Sequence, residues 1–130
     1  MPSEKISVMV TSNKREQLQM AAMVASVGAV SGNDVTVFLS MNSLKYFVKG
    51  NAEQASPEGP VGSLIVEKNA PDFMELFQQA VEYGDAKIFP CSMAVDILEI
   101  GQDDLEEFVS EPLGLTTFLS DASDGQVWHF

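Results

Sequence analysis

The chain is poor in the residues that build metal centres, disulfide frameworks and catalytic triads. It has one cysteine and one histidine in 130 residues. One cysteine cannot form an internal disulfide, and a single Cys and a single His are too few for a typical zinc site. A Ser-His-Asp or Cys-His arrangement would depend on His129 alone. The sequence also lacks the Gly-x-Gly-x-x-Gly, Gly-Lys-Ser/Thr and Cys-x-x-Cys motifs. We therefore expect no metal, no cofactor and no dithiol chemistry.

Positive charge is also scarce. Seven Lys and Arg residues stand against nineteen Asp and Glu, which gives a net charge of −12, and no Lys or Arg follows Lys87. This charge opposes binding to nucleic acid or to anionic lipid. The acidic second half is either a solvated surface or a docking face for a basic partner protein.

No apolar run reaches the ~18 residues of a membrane span, and the start of the sequence lacks a secretory signal pattern. We expect a cytoplasmic protein.

Alternating strand and helix patterns dominate the chain. Hydrophobic residues make up 45% and charged residues 20% of the sequence, and the length suits one domain over residues 1–130. The order of the segments favours a three-layer α/β/α sandwich with a mostly parallel sheet of about five strands. The predicted strands cover residues 5–11, 35–39, 86–89, 107–109 and 126–130. The predicted helices cover residues 15–30, 44–50, 71–81, 92–100 and 115–122.

Two segments depart from this regular pattern. Residues 20–30 are apolar nearly all round, so this half of the first helix should be buried on more than one side, against the sheet or another subunit. Residues 51–70 are punctuated by proline and glycine and predict a long surface loop, with a short edge segment at most. That loop is either a mobile flap near the cysteine or an inert insertion.

The most informative stretch surrounds the cysteine. A short apolar strand ends at Pro90, Cys91 follows, and an amphipathic helix begins at once. Cys91 would then lie where the first amides of a helix have no intrahelical partner, an environment that stabilises a thiolate. Such a position, at the carboxyl end of a parallel strand, is where open α/β sheets bind ligands. The alternative is a buried cysteine that only fills space.

A single thiolate without a resolving cysteine suits transient covalent attachment, of which a persulfide is one reversible form. The sequence KIFPCSMAVD at residues 87–96 resembles the strand–Cys–Ser/Thr–Met turn of the DsrE/DsrF-like family of small sulfur-carrier and sulfurtransferase proteins. ISVMVT at 6–11, GNDVTVFLS at 32–40 and GLTTFL at 114–119 are similar to other family segments, so that the resemblance covers nearly the whole chain.

The resemblance implies a role for several residues. Cys91 would accept sulfane sulfur, and Ser92 and Met93 would shape the turn around it. Ser12, Asn13 and Lys14 would lie on the same edge of the sheet. Family members form homo- or hetero-oligomers of three to six subunits, and their partners are TusA-like or rhodanese-like sulfur-transfer proteins.

Three functions remain open at this stage. The first is a sulfur carrier or sulfurtransferase-like protein that holds a persulfide or thiosulfonate on Cys91 and passes it to a partner carrier. The second is a non-catalytic assembly or small-ligand-binding subunit in which Cys91 is packed. The third is a redox sensor that forms an intersubunit disulfide.

Overall fold

The structure, a computed structural model, describes residues 3–51 and 55–130. Its centre is a sheet of four parallel strands, in the order β3-β2-β1-β4. The fold class is therefore confirmed, with four strands in the described ranges where about five were predicted. The strands are β1 (Lys5–Val10), β2 (Asp34–Leu39), β3 (Lys87–Pro90) and β4 (Gln126–His129).

The strand predicted at residues 107–109 is wrong, because this segment is a turn. The N–H of Val109 donates to the carbonyl of Glu106 at 3.0 Å, which closes the turn locally. Val109 is buried in the core, and Phe108 packs edge-on against Phe47. Phe108 and Val109 are thus apolar because their side chains pack in or against the hydrophobic core, and not because they belong to a paired strand.

Within the described ranges, five α-helices connect and cover the strands. They are α1 (Arg15–Val30), α2 (Pro60–Glu67), α3 (Phe73–Gly84), α4 (Ser92–Leu98) and α5 (Leu115–Asp121). The bounds predicted for α1 are confirmed, and those for α3, α4 and α5 are met to within a few residues. The short helix predicted at 44–50 is a 3₁₀ helix that begins earlier, over Met41–Phe47, and a second 3₁₀ turn covers Gln102–Asp104.

The loop predicted over residues 51–70 is partly wrong, because α2 lies inside it. Gly59 precedes the helix in an extended conformation, and Pro60 occupies the first turn, where proline costs no hydrogen bond. Val61, Leu64 and Ile65 follow at helical spacing. An eight-residue helix is shorter than the window over which periodicity identifies a helix. Residues 52–54 of the predicted loop lie outside the described residues.

Helices cover both faces of the sheet. On one face Gly28 of α1 lies so close to the sheet that an added Cβ would meet Ile6 and Val35 at 3.3 Å, and α3 packs beside α1. On the other face Phe118 of α5 stacks on Phe38 of β2, with ring centroids 4.7 Å apart. The alternating side chains of β2 therefore enter two separate apolar layers, as a three-layer sandwich requires.

One face of α1 is apolar and exposed to solvent in the single chain. Met20, Met23 and Val27 lie on this face, whereas Ala21, Ala22 and Ala25 are buried. The exposed side chains border β4, an edge strand of the sheet, so that Ile6, Trp128 and Phe130 complete an apolar groove of about 580 Å³ with them. The expectation that residues 20–30 are buried on more than one side is thus not met within one chain.

Candidate functional site

Cys91 stands at the junction between β3 and α4. It is the residue immediately before the helix, in an extended conformation, and its carbonyl accepts the first helical hydrogen bond from the N–H of Val95 at 2.9 Å. Its own N–H donates to the carbonyl of Leu39 at 2.7 Å, which continues the pairing of β2 and β3 one residue further. The proline before it ends the strand, and the apolar residues after it start the helix. The structure thus has the strand–Cys–helix turn that the sequence predicted.

The thiol of Cys91 is enclosed. The residue is 6% exposed and belongs to the hydrophobic core. The N–H of Ser92 donates to the carbonyl of Leu113 at 3.0 Å, so this amide is already used and does not stabilise a sulfur anion. Met93, in contrast, is 54% exposed. A reagent can therefore reach the sulfur only if residues around the start of α4 move.

Ser12, Asn13 and Lys14 lie at the carboxyl end of β1. The hydroxyl of Ser12 accepts a hydrogen bond from the N–H of Lys14 at 2.9 Å, and the Asn13 carbonyl accepts one from the Tyr46 hydroxyl at 3.4 Å. Lys14 precedes α1 and pairs by its backbone with Ser56. These polar groups shape the turn into α1.

The sheet order separates this turn from Cys91. Both lie at the carboxyl edge of the sheet, but β2 runs between β1 and β3. Neighbouring strands are about 4.8 Å apart, which places the two turns roughly 10 Å from each other. The strand order changes direction between β1 and β4, and at this switch point the Thr11 hydroxyl lies 3.0 Å from Nε2 of His129. Cys91 instead follows an edge strand.

The segment that leads into α2 is held by the first turn of α1. The Glu16 carboxylate accepts hydrogen bonds from the N–H groups of Glu58 at 2.8 Å and Gly59 at 2.7 Å. The Glu58 amide is the main reason that the pKa of Glu16 is lowered from 4.5. A guanidinium nitrogen of Arg15 donates to the carbonyl of Gly62 at 2.9 Å. Sequence reasoning missed these anchors, because a charged pair at a helix start is also typical of a solvated surface.

In residues 3–51 and 55–130, no three His, Cys, Asp or Glu side chains are grouped so that they could hold a metal ion. Within the same ranges, none of the helices combines the length and apolar character that crossing a membrane requires.

Comparison with known proteins identifies the family. The sequence model of the DsrE/DsrF/DrsH-like family matches residues 59–130, more than half of the chain. No curated protein matches the chain. Among solved structures, the ychN protein from E. coli is similar over 99% of this chain and 100% of its own, with a TM-score of 0.70 and 16% identity. A protein of unknown function from Methanobacterium thermoautotrophicum, MTH1491, is similar over 98% and 100%, with a TM-score of 0.59 and 8% identity. Both share the fold, and this chain belongs to the DsrE/DsrF/DrsH-like family.

Proposed function

We propose that residues 1–130 form one sulfur-carrier domain that holds sulfane sulfur as a persulfide or thiosulfonate on Cys91. The observation that carries this proposal is the position of Cys91, the residue before α4 at the carboxyl end of a parallel strand, in a chain of this family. Ser92 and Met93 form the first turn beside the sulfur, and Ser12, Asn13 and Lys14 bind substrate from the same edge of the sheet.

Transfer of the persulfide form is a thiol exchange and needs no external oxidant. The Cys91 thiolate attacks the outer sulfur of a donor persulfide, a new S–S bond forms, and the donor leaves as a thiolate. A partner thiolate then attacks the outer sulfur on Cys91 in the same way, and Cys91 leaves as a thiolate. Because the chain has no second cysteine, the acceptor thiol belongs to another molecule. We propose that TusA-like or rhodanese-like proteins are these partners and that the exchange takes place in the cytoplasm.

A second function is favoured by the burial of Cys91. Cys91 is 6% exposed and belongs to the hydrophobic core, and such burial is also typical of a packed, unreactive cysteine. In this alternative the protein is a non-catalytic subunit of an oligomer, and the cysteine contributes only to its core.

Intact-mass spectrometry separates the two functions. We expect reduced wild-type protein to gain whole sulfur atoms during incubation with polysulfide, and to lose them on addition of a thiol reductant. A Cys91→Ser variant should gain none, while Ser63→Ala, a matched change at an exposed position on α2, should load like the wild type. Because the protein has one cysteine, every thiol-dependent addition reports on Cys91. A wild-type mass that stays unmodified with polysulfide and with thiosulfate, together with slow alkylation that becomes fast in denaturant, would establish the packed subunit instead.

We propose that the chain forms a homo-oligomer of three to six subunits and that the apolar groove between α1 and β4 is the contact surface. None of the described residues that line it is charged, although one residue in five of this chain is charged. β4 is an edge strand that carries neither proline nor Lys, Arg, Asp or Glu, and such an unprotected edge is typical of a strand covered in an assembly.

Val27→Glu should dissociate this oligomer, because burying an unpaired carboxylate in an apolar interface is strongly unfavourable. Val27 is 66% exposed in the single chain, so folding of the subunit should be preserved. Light scattering after size exclusion should show the mass of one subunit for this variant. Val61→Glu is the matched control, since Val61 is 58% exposed on α2 and outside the groove. A wild type that is already monomeric, or a Val27→Glu variant that keeps the wild-type mass, would refute the proposed interface.

A further inference from the structure

A second exposed apolar surface lies on the helices α4 and α5, next to Cys91. Five large apolar side chains of these two short helices are between 45% and 69% exposed. They form the α4–α5 patch, which consists of Met93, Ile97 and Leu98 on α4 and Leu115 and Leu119 on α5. None of the five lines the groove between α1 and β4. The patch is thus separate from the proposed contact surface of the oligomer.

The patch begins at the turn that holds Cys91. The backbone of Cys91 pairs with that of Leu113, and the N–H of Ser92 donates to the carbonyl of Leu113 at 3.0 Å. The starts of α4 and α5 therefore lie side by side. Met93 is two residues after Cys91, and Leu115 is two residues after Leu113. A protein that covers these two side chains consequently meets the chain beside its one thiol.

The exposed side chains form a face on each helix. On α4, Met93 and Ile97 are four residues apart, as are Leu115 and Leu119 on α5, and residues at this spacing are neighbours on a helix surface. One other residue of each helix is buried and attaches the helix to the core. The exposed faces are therefore not needed for that attachment, and contiguous apolar surface of this kind is typical of a protein–protein contact.

Acidic residues border the patch. Nine of the nineteen Asp and Glu residues of the chain lie in residues 88–130, a segment without Lys or Arg. Asp96 and Glu99 are the sequence neighbours of Ile97 and Leu98, and Asp121 ends α5. All three carboxylates are exposed. A second copy docked patch to patch would bring like charges together, which is unfavourable, whereas a surface that carries Lys and Arg would complement them.

We propose that the α4–α5 patch is the docking surface for the sulfur acceptor, a thiol-bearing carrier protein whose contact surface has an apolar centre and a rim of Lys and Arg. This inference rests on the proposed function for the identity of the partner. The apolar side chains supply the contact area, and the carboxylates speed the encounter and select a basic partner. Because Met93 belongs to the first turn of α4, the partner docks on the residues that must move before the Cys91 sulfur is reached.

The test is isothermal titration calorimetry with two probes, a TusA-like protein and a rhodanese-like protein. The Cys91→Ser variant of this chain is titrated with probes whose reactive cysteine is replaced by serine, so that no sulfur exchange contributes to the heat. We expect at least one probe to bind with a Kd below about 100 µM. Binding should weaken as NaCl rises from about 50 to about 500 mM, because salt screens exposed charges. Absence of binding by both probes, or binding that does not depend on salt, would overturn the proposal.

Two matched pairs of variants locate the contact. Ile97→Ser, at a position that is 69% exposed, should weaken probe binding roughly tenfold, whereas Val61→Ser, at a position on α2 that is 58% exposed, should not. Asp96→Lys should also weaken binding, whereas Glu82→Lys, at an exposed position in the last turn of α3, should not. A Lys in the last turn of α4 is favoured by the helix dipole, so weaker binding by Asp96→Lys does not result from a loss of folding.

The outcomes distinguish this inference from the proposed function. A chain that loads sulfur, but whose probe binding is unchanged by Ile97→Ser and Asp96→Lys, would refute the docking surface alone. A chain that binds a probe through the patch but gains no sulfur would contradict the sulfur-carrier function and leave the docking surface in place. If Ile97→Ser instead lowered the mass of the oligomer in light scattering, a second copy would cover the patch, and the proposal would be wrong.

Discussion

Replacing Phe118 with alanine should lower the free energy of unfolding by about 3–5 kcal/mol, the usual cost of removing a fully buried aromatic side chain. Phe118 is fully buried and is the one buried residue of α5. Its ring stacks on Phe38 at a centroid distance of 4.7 Å. Without the ring, this seven-residue helix loses the side chain that attaches it to the sheet. Urea denaturation followed by circular dichroism would measure the loss.

Leu119→Ala is the matched control for that variant. Leu119 is the next residue of α5 and is 51% exposed, so its truncation should change the free energy of unfolding by about 0.5 kcal/mol or less. Equal losses for the two variants would show that α5 is held by its general apolar character and not by the stack on Phe38.

The strand–Cys–helix turn could be predicted from the sequence because every signal in it is local. Pro90 ends a four-residue apolar strand, and the residues after Cys91 have helical periodicity. The parallel arrangement of the sheet followed from the alternation of strands and helices. These features depend on short stretches of the chain, and the tertiary structure did not override them.

The features that the sequence did not reveal depend on contacts between distant segments. The segment at Leu113 pairs by its backbone with Cys91, although it lies more than twenty positions later in the chain. Helix α2 is fixed by Glu16, a residue more than forty positions before it. The side chain of Gln19 on α1 donates to the carbonyl of Pro71, which lies 52 positions later. Residues 107–109 were misassigned because a buried apolar pair in a turn has the composition of a short strand.

Replacing Gly84 with alanine should lower the free energy of unfolding by about 1–3 kcal/mol through overpacking. Gly84 is the last residue of α3, and the left-handed conformation that ends the helix belongs to Asp85. Gly84 therefore allows α3 to approach α1 closely, and it is not required for reversing the direction of the chain. An added Cβ would lie 2.6 Å from the carbonyl carbon of Ala29 and 2.9 Å from its oxygen. Backbone atoms of α1 cannot yield as a flexible side chain can, so the two helices must separate.

Gly28→Ala is the appropriate comparison for Gly84→Ala, because its added Cβ would meet only side-chain atoms, at 3.3 Å, from Ile6 and Val35. Side chains can shift by a few tenths of an ångström, and alanine favours a helix over glycine by about 1 kcal/mol. We therefore expect Gly28→Ala to remain close to wild type in urea denaturation while Gly84→Ala is clearly destabilised. If Gly84→Ala were instead more stable than wild type, helix propensity would outweigh contact with Ala29, and the close packing of α3 on α1 would not limit stability.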